Sequence, residues 1–175
     1  MVTALAYSSQ AGGFRIIHDR NWHVLVDRHD VTILRFVENG ELVAQCNITR
    51  LADAAPDKQL GMQSFQADIR RVLDKNFGQF LESAESKNEH ELRTLRSTVS
   101  GEASDLPIQW NYYHLTDSKG RQASLVFTMD AKLLERFAAA DQTIVSSIEL
   151  TDKSSQPAAK PPAKTATAPT AKTRK

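Results

Sequence analysis

The densest collection of side chains able to do chemistry lies between positions 18 and 30, where His18, Asp19, His23, Asp27, His29 and Asp30 follow one another closely. Imidazoles and carboxylates are the ligands zinc takes and the groups that exchange protons near neutral pH. Their spacing does not fix their mutual distance, because they fall in loop and hairpin-turn segments where polar side chains gather for solvation. Solvated turns are the preferred reading, with a metal or acid–base site at His18, His23 and His29 as the alternative. A second group, Trp110, Tyr112 and His114, alternates along one predicted strand and so shares a face. Aromatic walls around one polar group suit a ligand pocket, although the same residues fill ordinary cores. Asn111 and Tyr113 occupy the opposite face and are candidates for an exposed interaction surface.

No glycine-rich phosphate loop, His-Glu-x-x-His, Cys-x-x-Cys, Gly-x-Ser-x-Gly or kinase signature occurs in the 175 residues. No catalytic residue, metal ligand or cofactor site is therefore assigned. Cys46 is the only cysteine, so no intramolecular disulfide can form. It sits in the apolar alternation of a predicted strand and reads as a buried structural thiol.

The elements that position these groups follow from periodicity and turn chemistry. Phe14–Ile17 reads as a strand after the Gly12-Gly13 breaker, with Trp22 as a large buried anchor beyond it. Segments 23–26 and 31–37 form a hairpin across the polar 27–30 turn. Asn39-Gly40, a strong hairpin signal, leads into Leu42–Ile48. Pro56 and Asp57 mark a helix entry, and apolar residues from Leu60 to Leu81 then recur at spacings of mostly three and four. That pattern predicts one amphipathic helix of about 20 to 25 residues. After a polar stretch from Glu82 to Glu91, segments 92–101, 108–115 and 123–129 read as an antiparallel meander. Asp130 and Asp141 are expected to cap two short terminal helices. The first ten residues read as a flexible lead-in.

Composition divides the chain in two. The tail, residues 151–175, carries six basic residues against Asp152, a net charge of +5, and residues 1–150 carry 16 bases against 20 acids, a net charge of −4. A Lys/Ala/Pro/Thr-rich tail without aromatic or branched aliphatic residues cannot bury enough surface to fold alone, and disorder is expected there. Polyanion or anionic-membrane contact, if any, belongs to this tail and would be weak and salt-sensitive. No apolar run approaches the roughly 18 residues of a membrane span. Localisation is cytoplasmic by default, with export left open.

With the elements placed, residues 11–150 resemble the Mog1/PsbP-like α/β/α sandwich group, which includes small bacterial members of unassigned role. The likeness rests on Gly13-Phe14-Arg15-Ile16 leading to Trp22 and on the Asn39-Gly40 hairpin into Leu42-Val43-Ala44-Gln45-Cys46-Asn47-Ile48. The Leu60–Leu81 helix, the three later strands and the closing Phe137 to Ser146-Ser147-Ile148 segment continue the order. Members commonly place Pro before the Trp, where this chain has His18-Asp19-Arg20-Asn21. The resemblance implies an α+β fold, an antiparallel sheet covered by helices, and a binding or assembly role: known members assist a small GTPase or a photosystem.

The expectation is therefore a non-enzymatic binding or assembly module with an unknown protein partner. The alternatives are a polyanion- or membrane-associated protein acting through its tail, and a metal-binding protein or unfamiliar enzyme. The surface or pocket candidates are His18, His23, Trp110, Tyr112, Tyr113 and His114.

Overall fold

The computed structural model describes residues 3–153. Beyond Lys153 the basic tail lies outside the described residues. Seven strands make one antiparallel sheet: Trp22–Asp27 (β3), Thr32–Glu38 (β4), Glu41–Leu51 (β5), Phe77–Lys87 (β6), Arg93–Ala103 (β7), Leu106–Thr116 (β8) and Gln122–Asp130 (β9), paired in the order β3-β4-β5-β9-β8-β7-β6. A small second sheet pairs Ala4–Ser9 (β1), Phe14–Asp19 (β2) and Glu149–Leu150 (β10) in the order β1-β2-β10. Asn39 and Gly40 have φ of 51° and 78°, the left-handed pair that a tight hairpin with right-handed strand twist needs.

The N-terminal stretch expected as a lead-in is instead a full strand. β1 pairs with β2 along its whole length, from Ala4 opposite Asp19 to Ser9 opposite Phe14. Side chains add what the sequence pattern did not show. Asp27 accepts hydrogen bonds from Tyr7 and, at 2.6 Å, from Ser9, so β1 is tied to the end of β3.

The predicted 20-to-25-residue helix is a second correction. A helix runs only from Met62 to Leu73 (α1), starts at Gly61 rather than at Pro56-Asp57, and passes through a 3₁₀ turn at Asp74–Asn76 into β6. Asp74 takes a φ of 49° and returns its N–H to the Arg70 carbonyl, which closes the helix. The apolar spacing continues past this point for a reason unrelated to helix. Phe77 opposes Gly101 and Phe80 opposes Val99 across a register shift. Two phenylalanines three residues apart would face opposite sides of a regular strand, but the extra residue puts both on one face. Their rings meet at 5.0 Å, and the Arg70 guanidinium lies over both. The polar stretch from Glu82 onward completes β6, an edge strand almost wholly exposed, where charge discourages pairing with another chain.

Both faces of the large sheet are covered. On one, Phe65, Ile69 and Leu73 of α1 pack against Leu95, Val99, Trp110 and Tyr112. On the other lie the small sheet and two short helices, Leu134–Phe137 (α2) and Gln142–Ser147 (α3). Trp22, Phe36, Phe127 and Phe137 form an aromatic cluster there with centroid spacings from 5.2 to 6.3 Å. The result is an antiparallel sheet sandwiched between α1 on one side and the small sheet with two short helices on the other. Cys46 is buried in this second core, and burial pushes its thiol well above the ordinary value. Asp130 caps the 3₁₀ turn before α2 by accepting from the Lys132 N–H at 2.8 Å. Asp141 precedes α3 without capping it, because its carboxylate is engaged elsewhere.

Candidate binding cleft

Strand register assembles the site. Tyr112 lies opposite Val126 of β9 and Ser97 of β7, and His114 lies opposite Ser124 and Leu95. These residues point toward α1. The helix covers the β6–β8 side of this face, and beside it, toward β9 and β5, a cleft of about 460 Å³ opens. Its floor is Tyr112, His114, Gln122 and Ser124, its helical wall is Phe65, Ile69 and Val72, and Lys58, Leu60 and Leu51 stand around the mouth. Residues 52–61 are held at that mouth by Gly120, whose carbonyl accepts the Ala54 N–H at 2.9 Å. Gly120 has φ of 82°, and a Cβ there would lie 2.2 Å from the Ala54 oxygen, so only glycine permits this approach.

The floor is apolar in bulk and polar at a few defined atoms. His114, 5% exposed, stacks at a tilt on Phe65 with centroids 6.2 Å apart. Its Nε2 lies 2.9 Å from Gln122 Oε1, while the Gln122 amide nitrogen donates to the Ala52 carbonyl at 2.9 Å. That second bond turns the amide oxygen toward the imidazole, so Nε2 must carry the hydrogen. Burial holds the His114 pKa below its ordinary value, against the raising effect of the Gln122 hydrogen bond. The ring is thus neutral at physiological pH and its Nδ1 is a lone-pair acceptor. Tyr112 is 9% exposed, and burial pushes its hydroxyl up to about 12.

Neither Tyr112 Oη nor His114 Nδ1 has a hydrogen-bond partner among the described residues. Among the described residues, the fully enclosed side-chain atoms without partners are Arg50 Nε, Arg96 Nε, Thr98 Oγ1 and Thr116 Oγ1. The two cleft atoms are not in that set, so they reach solvent through the opening. At the rim, Arg71 is paired with Asp68 at 2.8 Å, Lys58 has no carboxylate partner among the described residues, and Val72 is 70% exposed.

The six expected site residues have separate fates. Tyr112 and His114 line the cleft together, and Trp110, on the same face, packs under α1 in the core. Tyr113 is a correction. It is buried at 2% exposure and donates to Asp141 at 2.6 Å, with Asn111 donating to the same oxygen at 3.0 Å. The face expected to be exposed is covered by α3. His18 is buried on β2 with Nδ1 2.7 Å from the Asp19 carbonyl, whereas His23 and His29 are exposed. Among the described residues no three His, Cys, Asp or Glu side chains come together in a group able to hold a metal ion. Gln122, Ser124 and Phe65 were absent from the sequence-based candidates. They become neighbours of His114 only through the β8–β9 register and the docking of α1.

No protein-family model matches the sequence, and no curated protein sequence is significantly similar to it. Solved structures do match. The Ran-binding protein Mog1p of Saccharomyces cerevisiae aligns with a TM-score of 0.60 and 8% identity over 87% of this chain and 97% of its own. PsbP of the cyanobacterium Synechocystis aligns at 0.58 and 10% identity over 86% and 94%. LpqN, involved in cell envelope biogenesis of Mycobacterium tuberculosis, aligns at 0.56 and 8% identity over 86% and 92%. The fold is therefore Mog1/PsbP-like. No helix among the described residues is long and apolar enough to cross a membrane.

Proposed function

We propose that this chain is a non-enzymatic binding module and that the cleft beside α1 is its binding site. One observation carries the reading: an open cleft with apolar walls has at its floor two polar side chains, Tyr112 and His114, whose Oη and Nδ1 no described residue of the chain pairs. Sites with apolar walls and a few polar atoms open to solvent are where a bound molecule takes over the pairing that water supplies in the free protein. The likeness to a Ran-binding protein supports a protein partner, and the exposed Val72 and Leu51 supply apolar surface at the rim for one to cover.

The test is a photo-crosslinking amino acid placed at Val72, with Leu106, an exposed apolar residue at the β7–β8 turn, as the control position. Cross-linking in the source cell should yield discrete adducts from position 72 and none of the same species from 106. Absence of adducts from 72 removes the cleft rim as an interaction site.

A further inference from the structure

Resting on the assignment of the cleft as a binding site, we infer that it holds a small uncharged amphiphile: an apolar body, aromatic or aliphatic, carrying one hydroxyl that meets Tyr112 and His114. The volume of about 460 Å³ is within the range of small-molecule sites. Phe65, Ile69 and Leu60 offer the body only hydrocarbon and ring surface.

The head is defined by what can replace water at the floor. His114 Nδ1, fixed as an acceptor by the Nε2 contact to Gln122, takes only a donor. Tyr112 Oη, without a partner, can donate in return. A hydroxyl can both donate to Nδ1 and accept from Oη, a combination that neither a carboxylate nor an ammonium offers. Charge also argues for a neutral head. An anion at the floor would leave the imidazole lone pair facing negative charge, and an ammonium would find only the Asp68 carboxylate in the lining. Asp68, at the rim, is already taken up by Arg71. Lys58 also lines the cleft, and a benzoate probes it.

Three probes that differ only in the head group separate these cases: 4-butylphenol, butylbenzene and 4-butylbenzoate, titrated into the 175-residue chain. Backbone amide shifts at Ile69, Tyr112 and Ser124 and the His114 ring-nitrogen resonances report binding. The phenol should bind roughly three- to tenfold more tightly than butylbenzene, the factor expected of a net hydrogen bond, and should move the His114 Nδ1 resonance. Tyr112→Phe removes an atom that bonds nothing in the free protein, so it should fold normally, weaken the phenol several-fold and leave butylbenzene unchanged. Equal affinity of phenol and butylbenzene, with shifts at the cleft, overturns the hydroxyl assignment while the binding site stands. Tightest binding by the benzoate overturns it in favour of an anionic head at Lys58. Shifts at none of the cleft residues with any probe overturn both the ligand class and the cleft as a small-molecule site.

Discussion

His114 is held in a single tautomer by Gln122, whose amide nitrogen is anchored on the Ala52 carbonyl and whose oxygen faces the imidazole Nε2 at 2.9 Å. The pair links β8 to β9 and, through Ala52, to the segment that frames the cleft mouth. Burial lowers the His114 pKa from its ordinary 6.5, and the sign of the resulting pH dependence follows. Above 6.5 the ring is neutral in both folded and unfolded chains and contributes no slope. Between 6.5 and the lower folded value the unfolded chain binds a proton that the folded chain refuses, so stability falls as the pH is lowered through that window. His114→Gln should reduce the fall of the urea midpoint between about pH 7 and pH 5. An unchanged slope in the variant would show that His114 titrates normally.

Asp27 behaves in the opposite sense. Burial raises its pKa, but hydrogen bonds from Ser9, Tyr7 and Thr32 outweigh that and hold the carboxyl below the ordinary 3.8. The contribution is fully present above about 3.8 and is lost as the pH falls through the lower folded value. Asp27→Asn should destabilise the protein at neutral pH, and its difference from wild type should shrink on acidification. Faster amide exchange across Ala4–Ser9 in the variant is the local readout, because the clamp ties β1 to β3.

On the opposite face, Asp141 accepts from Tyr113 at 2.6 Å and from Asn111 at 3.0 Å inside the second core. Tyr113→Phe takes one donor from a buried carboxylate and should cost about 1 to 3 kcal/mol, read from denaturant midpoints. Tyr112→Phe, which removes the same single hydroxyl from the adjacent residue of the same strand but on the cleft side, should be near neutral. The contrast between the two tyrosines is the check: similar losses would mean that the Tyr112 hydroxyl has a partner after all.

Much of the fold was legible in the residues. Asn39-Gly40 announced its hairpin because only a few residue types accept two left-handed positions, and the alternation of Trp110, Tyr112 and His114 placed them on one face. The helix was overextended because Phe77 and Phe80 keep a spacing of three on a bulged strand, and a bulge leaves no signature in hydrophobic period. β1 was missed because its burial pattern is largely exposed, so its apolar residues do not alternate with polar ones in a way that marks a strand. Of the site, Tyr112 and His114 were visible as a pair. Gln122, Ser124 and Phe65 were not, since they meet His114 through pairing register and helix docking. Tyr113 was misplaced for the same reason: which face α3 covers depends on where the chain returns, not on strand period.

Close backbone approach at the root of β6 gives a further prediction. A Cβ at Gly101 would lie 2.0 Å from the Asn76 oxygen and 2.9 Å from Trp110 Cζ3, whereas one at Gly61 meets nothing within 4 Å. Gly101→Ala should destabilise by roughly 2 kcal/mol or more, as overpacking against backbone does. Gly61→Ala, at the N-cap of α1, should cost less than about 1 kcal/mol. Thermal melts of the two variants side by side test whether the β6–β7 bulge is as tight as the geometry requires.

Arg50 determines how the chain leaves the fold. Its Nη1 donates to the Gly13 carbonyl at 2.5 Å and to the Thr151 carbonyl at 2.7 Å, and Thr151 returns its own N–H to Gly13 at 2.9 Å. Gly13 has φ of 69°, and a Cβ there would lie 2.6 Å from the guanidinium nitrogen, so the β1–β2 turn is shaped to admit it. Desolvation lowers the Arg50 pKa, with nearby Asp53, Asp117 and Asp152 acting against it. A partly buried cation holding two carbonyls is worth more than an exposed ion pair, because its loss strands the Thr151 acceptor and leaves Gly13 with the Thr151 N–H alone. Arg50→Met keeps much of the apolar stem and removes the donors. It should cost about 1.5 to 3 kcal/mol and speed amide exchange from Glu149 to Lys153, while the His114 ring resonances stay where they are. A His114 shift in this variant would mean that the chain exit and the cleft, which share β5 and β9, are coupled.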